Sequence, residues 1–100
     1  MAWEETLKDV FYSYVGQESL GDAAYQLAFV ASDNPEYHRA LTMAFEEGIR
    51  AARAGEQKVN EIIGSSGGYG VNTSAEAVAL LSKLSTLYSQ KRGEILSKYP

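Results

Sequence analysis

Apolar residues recur every three or four positions along almost the whole chain, and this spacing restricts the possible folds more than any other feature of the sequence. Trp3, Leu7, Val10, Phe11 and Tyr14 form such a stripe in the first segment. No segment shows the strict alternation of apolar and polar residues that is typical of a half-buried strand. The period of 3.6 residues therefore predicts an all-α fold, a small helical bundle.

Glycine, proline and capping residues divide this pattern into four predicted helices, at approximately residues 2–15, 19–32, 35–63 and 74–97. The N-terminal capping signals are Ser19 with Asp22, Asn34 with Pro35, and the Thr73-Ser74-Ala75-Glu76 box. We expect a single domain over residues 1–100, with two shorter helices followed by a long antiparallel hairpin. The second helix is apolar on nearly every side between Leu20 and Ala31, which predicts that it is buried.

The third helix is predicted to run without a break through Gly55. Leu41, Gly48, Gly55 and Ile62 follow one another at intervals of seven residues, so the apolar stripe keeps its phase across residues 35–63. The alternative is a helix that ends at Gly55, because glycine costs up to ~1 kcal/mol relative to alanine inside a helix and is common just beyond a helix end. The constant phase favours the continuous helix.

Composition and charge exclude several classes of protein. Apolar content of 45% and charged content of 22% are those of an ordinary globular chain, and the absence of cysteine excludes disulfides and thiolate chemistry. The chain has no apolar run near the ~20 residues that span a bilayer, and its N-terminus is acidic, unlike a secretory signal. A net charge of −4 argues against a nucleic-acid partner. We expect a cytoplasmic protein that binds neither membrane nor nucleic acid.

A glycine-rich connector is predicted at residues 64–72, just before the last helix. A phosphate-binding loop would place a lysine and a hydroxyl directly after its last glycine, whereas the nearest base that follows here is Lys83. One feature still suits an anion, since the stretch ends at a helix N-terminus. We interpret it as a connector that binds no nucleotide, with Tyr69 as a candidate contact residue.

The titratable residues show no arrangement typical of catalysis. His38 is the only histidine and lies beside the apolar stripe, which favours a structural role. Glu36 lies two residues before it, so the Glu-x-x-His spacing of a helical metal site is missing. Adjacent carboxylates such as Glu46 and Glu47 diverge by ~100° on a helix and cannot share a proton. We therefore expect a protein that is not an enzyme and uses no cofactor or metal.

Tyrosine usage points instead to a binding surface. The chain has seven tyrosines, a residue that is enriched at protein interfaces. Tyr12 projects away from the stripe of the first helix, and Met43 is an isolated apolar residue on the charged face of the third. We predict that the contacts to a basic protein partner are Glu36, Met43, Glu46 and Glu47, together with Asp9, Tyr12 and Tyr69.

This combination of small size, acidic charge, absent cysteine and many tyrosines resembles the immunity proteins that bacteria make against secreted nuclease toxins, in contact-dependent inhibition and colicin systems. The resemblance implies an inhibitor that holds a basic toxin domain with acidic side chains and aromatic anchors. The alternative is a structural or assembly module, such as an adaptor, secretion chaperone or phage component, that forms a homodimer through the long hairpin. A third hypothesis is an enzyme that uses the glycine stretch to hold a phosphate ligand.

Overall fold

The computed structural model describes residues 2–16, 19–65 and 70–98, and these residues form five helices and contain no strand. The helices are α1 (Trp3–Val10), α2 (Leu20–Ala31), α3 (Pro35–Arg53), α4 (Gln57–Ser65) and α5 (Ser74–Lys98). A π-helical segment, Phe11–Val15, extends α1, and the N–H of Gly16 closes it on the carbonyl of Phe11 at 2.7 Å. The all-α prediction is confirmed, with five helices in place of about four.

The starts of α2 and α3 have the expected caps. The Ser19 hydroxyl accepts a hydrogen bond from the Asp22 N–H at 3.2 Å and so caps α2. The Asn34 side chain accepts from the Tyr37 N–H at 3.1 Å, and Pro35 occupies the first position of α3. Each side-chain oxygen satisfies a backbone donor that has no partner within its own helix.

The predicted unbroken helix over residues 35–63 is wrong. α3 ends at Arg53, and α4 starts afresh at Gln57. The predicted connector over residues 64–72 is also too long at its start, because Gly64 and Ser65 are the last residues of α4. The long hairpin is therefore interrupted, with α4 standing between its two long helices in the chain.

The backbone at Gly55 explains the break. Gly55 has a φ of +81°, in the left-handed region that glycine enters without strain. Its N–H donates to the carbonyl of Ala52, and the N–H of Glu56 donates to the carbonyl of Ala51, each at 3.0 Å. This pair of bonds is a Schellman motif, which satisfies the last carbonyls of α3 and turns the chain out of the helix.

α5 lies against both α2 and α3, α1 lies against α3, and α4 contacts α1, α3 and α5. α3 and α5 run antiparallel, since His38 meets Tyr88 near one end and Gly48 meets Leu81 near the other. A Cβ at Gly48 would lie 3.2 Å from side-chain atoms of Leu7 and Leu81, so glycine permits this close approach. Within the described ranges, no helix has the length and apolarity to cross a membrane.

The prediction that α2 is buried is wrong for one of its sides. Leu27 and the alanines of α2 belong to the core, which the other helices share. Tyr25, Phe29 and Val30 are exposed, because the neighbouring helices cover α2 from the inside only. An apolar helix in so small a bundle keeps a solvent-facing side whatever its composition.

Candidate functional site

Four of the predicted contact residues lie on the outward face of α3. Met43 is 57% exposed, Glu36 and Glu46 are also exposed, and Glu47 is partly exposed. At ~100° per residue these four side chains project to the same side of the helix. The structure therefore brings them onto one face, as the spacing predicts.

The charge of this α3 face is balanced, which the sequence prediction overlooked. Its acids are Glu36, Glu46 and Glu47, and the same side of α3 carries Arg39, Arg50 and Arg53. Arg50 donates to Glu47 at 3.1 Å in an exposed ion pair. The face thus has no net charge, and it contributes little to the attraction of a basic partner.

The remaining described candidates, Asp9 and Tyr12, lie on the outer side of α1 and its π-helical extension. Tyr12 is 44% exposed and lines a groove between α1 and α4, together with the carboxylates Glu4, Glu5 and Glu61 and the lysines Lys8 and Lys58. Asp9 is exposed on the same side of α1 and lines, with Glu5, a second groove toward α3. We call Glu4, Glu5, Asp9, Tyr12 and Glu61 the acidic α1–α4 surface.

Lys58 connects the two helices across this groove. Its ammonium lies 3.4 Å from Glu4, 3.2 Å from Glu56 and 5.5 Å from the centre of the Trp3 ring. Hydrogen bonds to Glu56 and Glu4 raise the pKa of Lys58, so its charge is retained and is directed to these carboxylates. Among the described residues, Glu5 and Glu61 have no ion-pair partner, so they keep their negative charge available to solvent.

Three further residues fix the inner edge of this surface. Tyr37 is partly buried where α1 meets α3, and burial together with Tyr14 and Asp9 raises the pKa of its phenol. The Asp9 carboxylate also accepts a hydrogen bond from Ser13 at 3.1 Å. The phenol of Tyr37 thus stays protonated beside Asp9.

His38 has the structural surroundings that the sequence predicts. Its Nδ1 lies 2.7 Å from the hydroxyl of the buried Tyr88, and the two rings stack with centroids 5.8 Å apart. Burial, and then the nearby Arg92, lower the pKa of His38, so the ring is neutral in the folded protein at neutral pH. Within the described residues no group of three or more histidine, aspartate or glutamate side chains is placed to hold a metal.

The N-terminus of α5 is occupied by the chain's own carboxylate. Thr73 Oγ1 accepts from the Glu76 N–H at 3.1 Å, and the Glu76 carboxylate accepts from the Asn72 N–H and the Thr73 hydroxyl, both at 3.2 Å. The predicted capping box is therefore present, with Asn72 supplying the reciprocal N–H. The site at which a phosphate would bind already holds Glu76. Tyr69, the last predicted contact, lies outside the described residues.

Sequence reasoning missed an apolar surface formed by α2 and the C-terminal end of α5. Phe29 is 56% exposed, Tyr25 is 42% exposed, and Leu96 of α5 is 38% exposed. Phe29 and Leu96 line one groove with Asp33, between the C-terminal ends of α2 and α5. The signal was present in the apolar composition of α2, which we interpreted as burial on all sides.

Comparison of the chain with protein-family models, curated proteins and solved structures finds no match. The proposal for its function therefore depends on the surfaces described above.

Proposed function

We propose that this chain is a non-catalytic protein-binding protein, an immunity-type inhibitor that neutralises a basic, nuclease-like toxin domain. The observation that carries the proposal is the exposed Tyr12 in a groove lined by three carboxylates and two lysines. An aromatic ring at the centre of an interface supplies apolar contact area, and the surrounding charges supply orientation and speed of association.

The distribution of charge favours the acidic α1–α4 surface as the binding site. Residues 3–15 and 56–65 together carry five carboxylates, Glu4, Glu5, Asp9, Glu56 and Glu61, against the two lysines Lys8 and Lys58. The α3 face is neutral by the same count. A basic partner is therefore attracted first to α1 and α4, and the α3 face with Met43 becomes a second contact area beside it.

Salt dependence follows from the same argument. Exposed charges more than a Debye length apart, about 8 Å at physiological ionic strength, are largely screened. Attraction to the acidic α1–α4 surface should therefore raise the association rate at low salt, and added salt should lower it. The dissociation rate depends on close contacts, so truncating Tyr12 should raise it while leaving the salt dependence unchanged.

The test is copurification from the native host with two matched double charge reversals. We expect the wild-type chain to retain a basic protein at low salt and to release it as salt is raised. Glu5→Lys with Glu61→Lys should lose that protein, whereas Glu46→Lys with Glu47→Lys should keep most of it. All four positions are at the surface, so each reversal should change stability within about 0.5 kcal/mol.

The opposite ranking of the two variants would assign the site to the α3 face. Retention of an acidic partner, or binding that is indifferent to salt and to both reversals, would contradict the proposal. If the captured protein is a nuclease, the wild-type chain should inhibit it in a stoichiometric titration, and the Glu5/Glu61 variant should need a higher concentration to do so.

A further inference from the structure

The exposed rings of α2 and a leucine of α5 form one continuous apolar patch. Tyr25 and Phe29 stack with their centroids 6.4 Å apart, and Phe29 shares a groove with Leu96. The buried Ile95 forms part of the lining of that groove. We call Tyr25, Phe29 and Leu96 the apolar α2–α5 patch. Large exposed apolar side chains in contact with one another are typical of an interaction site, whereas single ones are common on any surface.

Carboxylates flank this patch at both ends. Asp22 lies on the same side of α2 as Phe29, because seven residues correspond to nearly two full turns. Asp33 lines the groove beside Phe29 at the other end. α2 contains no lysine or arginine, and Lys91 and Lys98 project from α5 at roughly 140° and 160° from Leu96. Arg92 lies about 40° from Leu96, but it is partly buried and close enough to His38 and Tyr88 to affect their pKa values. The rim of the patch is therefore acidic along the length of α2.

This charge pattern disfavours a second copy of the chain as the occupant. A twofold axis that sets two α2 helices antiparallel places Asp22 of one copy against Asp33 of the other. A parallel arrangement places each aspartate against its own equivalent. Both arrangements bring like charges together around the apolar centre, which works against association. The partner that occupies the patch must instead carry lysine or arginine at each end of an apolar face.

We propose that the apolar α2–α5 patch docks an amphipathic helix of another protein, with lysine or arginine flanking its apolar residues. With its flanking aspartates the site extends over about 16 Å, because eleven residues at a rise of 1.5 Å separate Asp22 from Asp33, and this length matches about three turns of a partner helix. Phe29 and Leu96 contact the apolar residues of that helix, and Asp22 and Asp33 pair with its bases.

This site is separate from the acidic α1–α4 surface. Asp33 precedes α3, whereas Lys58 and Glu61 lie in the helix after its C-terminus. The two surfaces share no residue, because the apolar α2–α5 patch lies on α2 and α5, whereas the acidic α1–α4 surface lies on α1, its π-helical extension and α4. The chain can therefore hold two partners at once, and loss of one site should leave the other intact.

The experiment uses a fluorescent synthetic helix of about 18 residues, with leucines on one face and lysines at both ends. Its control has the same leucines with glutamates in place of the lysines. We expect fluorescence anisotropy to show that the lysine peptide binds the full chain at least about tenfold more tightly than the glutamate peptide. Phe29→Ala should weaken binding of the lysine peptide about tenfold. Met43→Ala is the matched control, because Met43 is equally exposed but lies on α3.

A charge-swapped variant provides the complementary result. Asp22→Lys with Asp33→Lys should lose the lysine peptide and bind the glutamate peptide. The proposal is overturned if neither peptide binds at about 1 mM, if both bind equally, or if Phe29→Ala and Met43→Ala have the same effect. It is also overturned by a dimer in sedimentation, or binding to lipid vesicles, that Phe29→Ala abolishes, since the patch would then belong to a second copy or to a membrane.

Discussion

Substitution of Gly55 tests whether the chain turns between α3 and α4 or continues as one helix. Gly55 has a φ of +81°, and a Cβ placed there would meet no atom within 4 Å. Gly55→Ala therefore changes the backbone energy without a steric clash. An L-residue in the left-handed region costs roughly 1–2 kcal/mol. The reduced freedom of the unfolded chain offsets about 0.4–1 kcal/mol of this cost. We expect a net loss of about 1 kcal/mol.

Gly93→Ala is the matched control, because the same substitution there should have the opposite sign. Gly93 lies inside α5 and is exposed, and a Cβ added to it would likewise meet no atom within 4 Å. Alanine in a helix interior is favoured over glycine by about 0.5–1 kcal/mol. The two variants should therefore differ by about 2 kcal/mol in their free energy of unfolding.

Urea denaturation followed by circular dichroism at the helix band measures both values. For a domain of this size each kcal/mol also corresponds to about 4–8 °C in melting temperature. Gly55→Asn should lose less than Gly55→Ala, because asparagine enters the left-handed region more readily. A gain in stability for Gly55→Ala that matches Gly93→Ala would refute the break and restore a continuous helix over residues 35–63.

Two further predictions concern local interactions. Thr73→Ala should lower the free energy of unfolding by about 1 kcal/mol, since it removes the cap of α5. Thr86→Ala, in the exposed middle of α5, should leave the free energy of unfolding unchanged or raise it. The urea midpoints of the two variants test this difference. Burial lowers the pKa of His38 below 6.5, so the unfolded chain binds more protons. Stability should be complete above about pH 6.5 and fall as the pH decreases toward the lowered pKa. His38→Gln should remove that part of the pH dependence, and an identical pH profile for the variant would contradict the assignment.

The fold class and three of the helix starts could be predicted because local chemistry determines them. Ser19, Asn34 and Thr73 cap their helices in the structure, as their positions in the sequence indicate. The break at Gly55 could not be obtained from the apolar period. Ala52 of α3 and Val59 of α4 are both buried, so the stripe continues across the turn. The apolar period shows which side of a segment faces the core. It does not show where the backbone turns, which depends here on the left-handed conformation of Gly55.

The candidate site was predictable in part. The exposure of Met43 and Tyr12 follows from their positions relative to the apolar stripes, and the structure confirms it. The groove between α1 and α4 was not predictable, because it depends on which helices pack together. The neutrality of the α3 face could have been found by counting Arg39, Arg50 and Arg53 against the acids on the same side. The net charge of the whole chain is −4, and this value does not show that the α3 face by itself is neutral.

The groups that could perform chemistry are mostly engaged with one another, which supports a surface function. Glu76 occupies the helix end that would hold an anion, and the His38 ring bonds to Tyr88. Lys58 is held between Glu4 and Glu56. Glu5 and Glu61 have no ion-pair partner among the described residues, and they lie beside an exposed tyrosine. Carboxylates that are left unpaired in water strengthen the attraction to a basic protein, because no internal pair has to be broken when it binds.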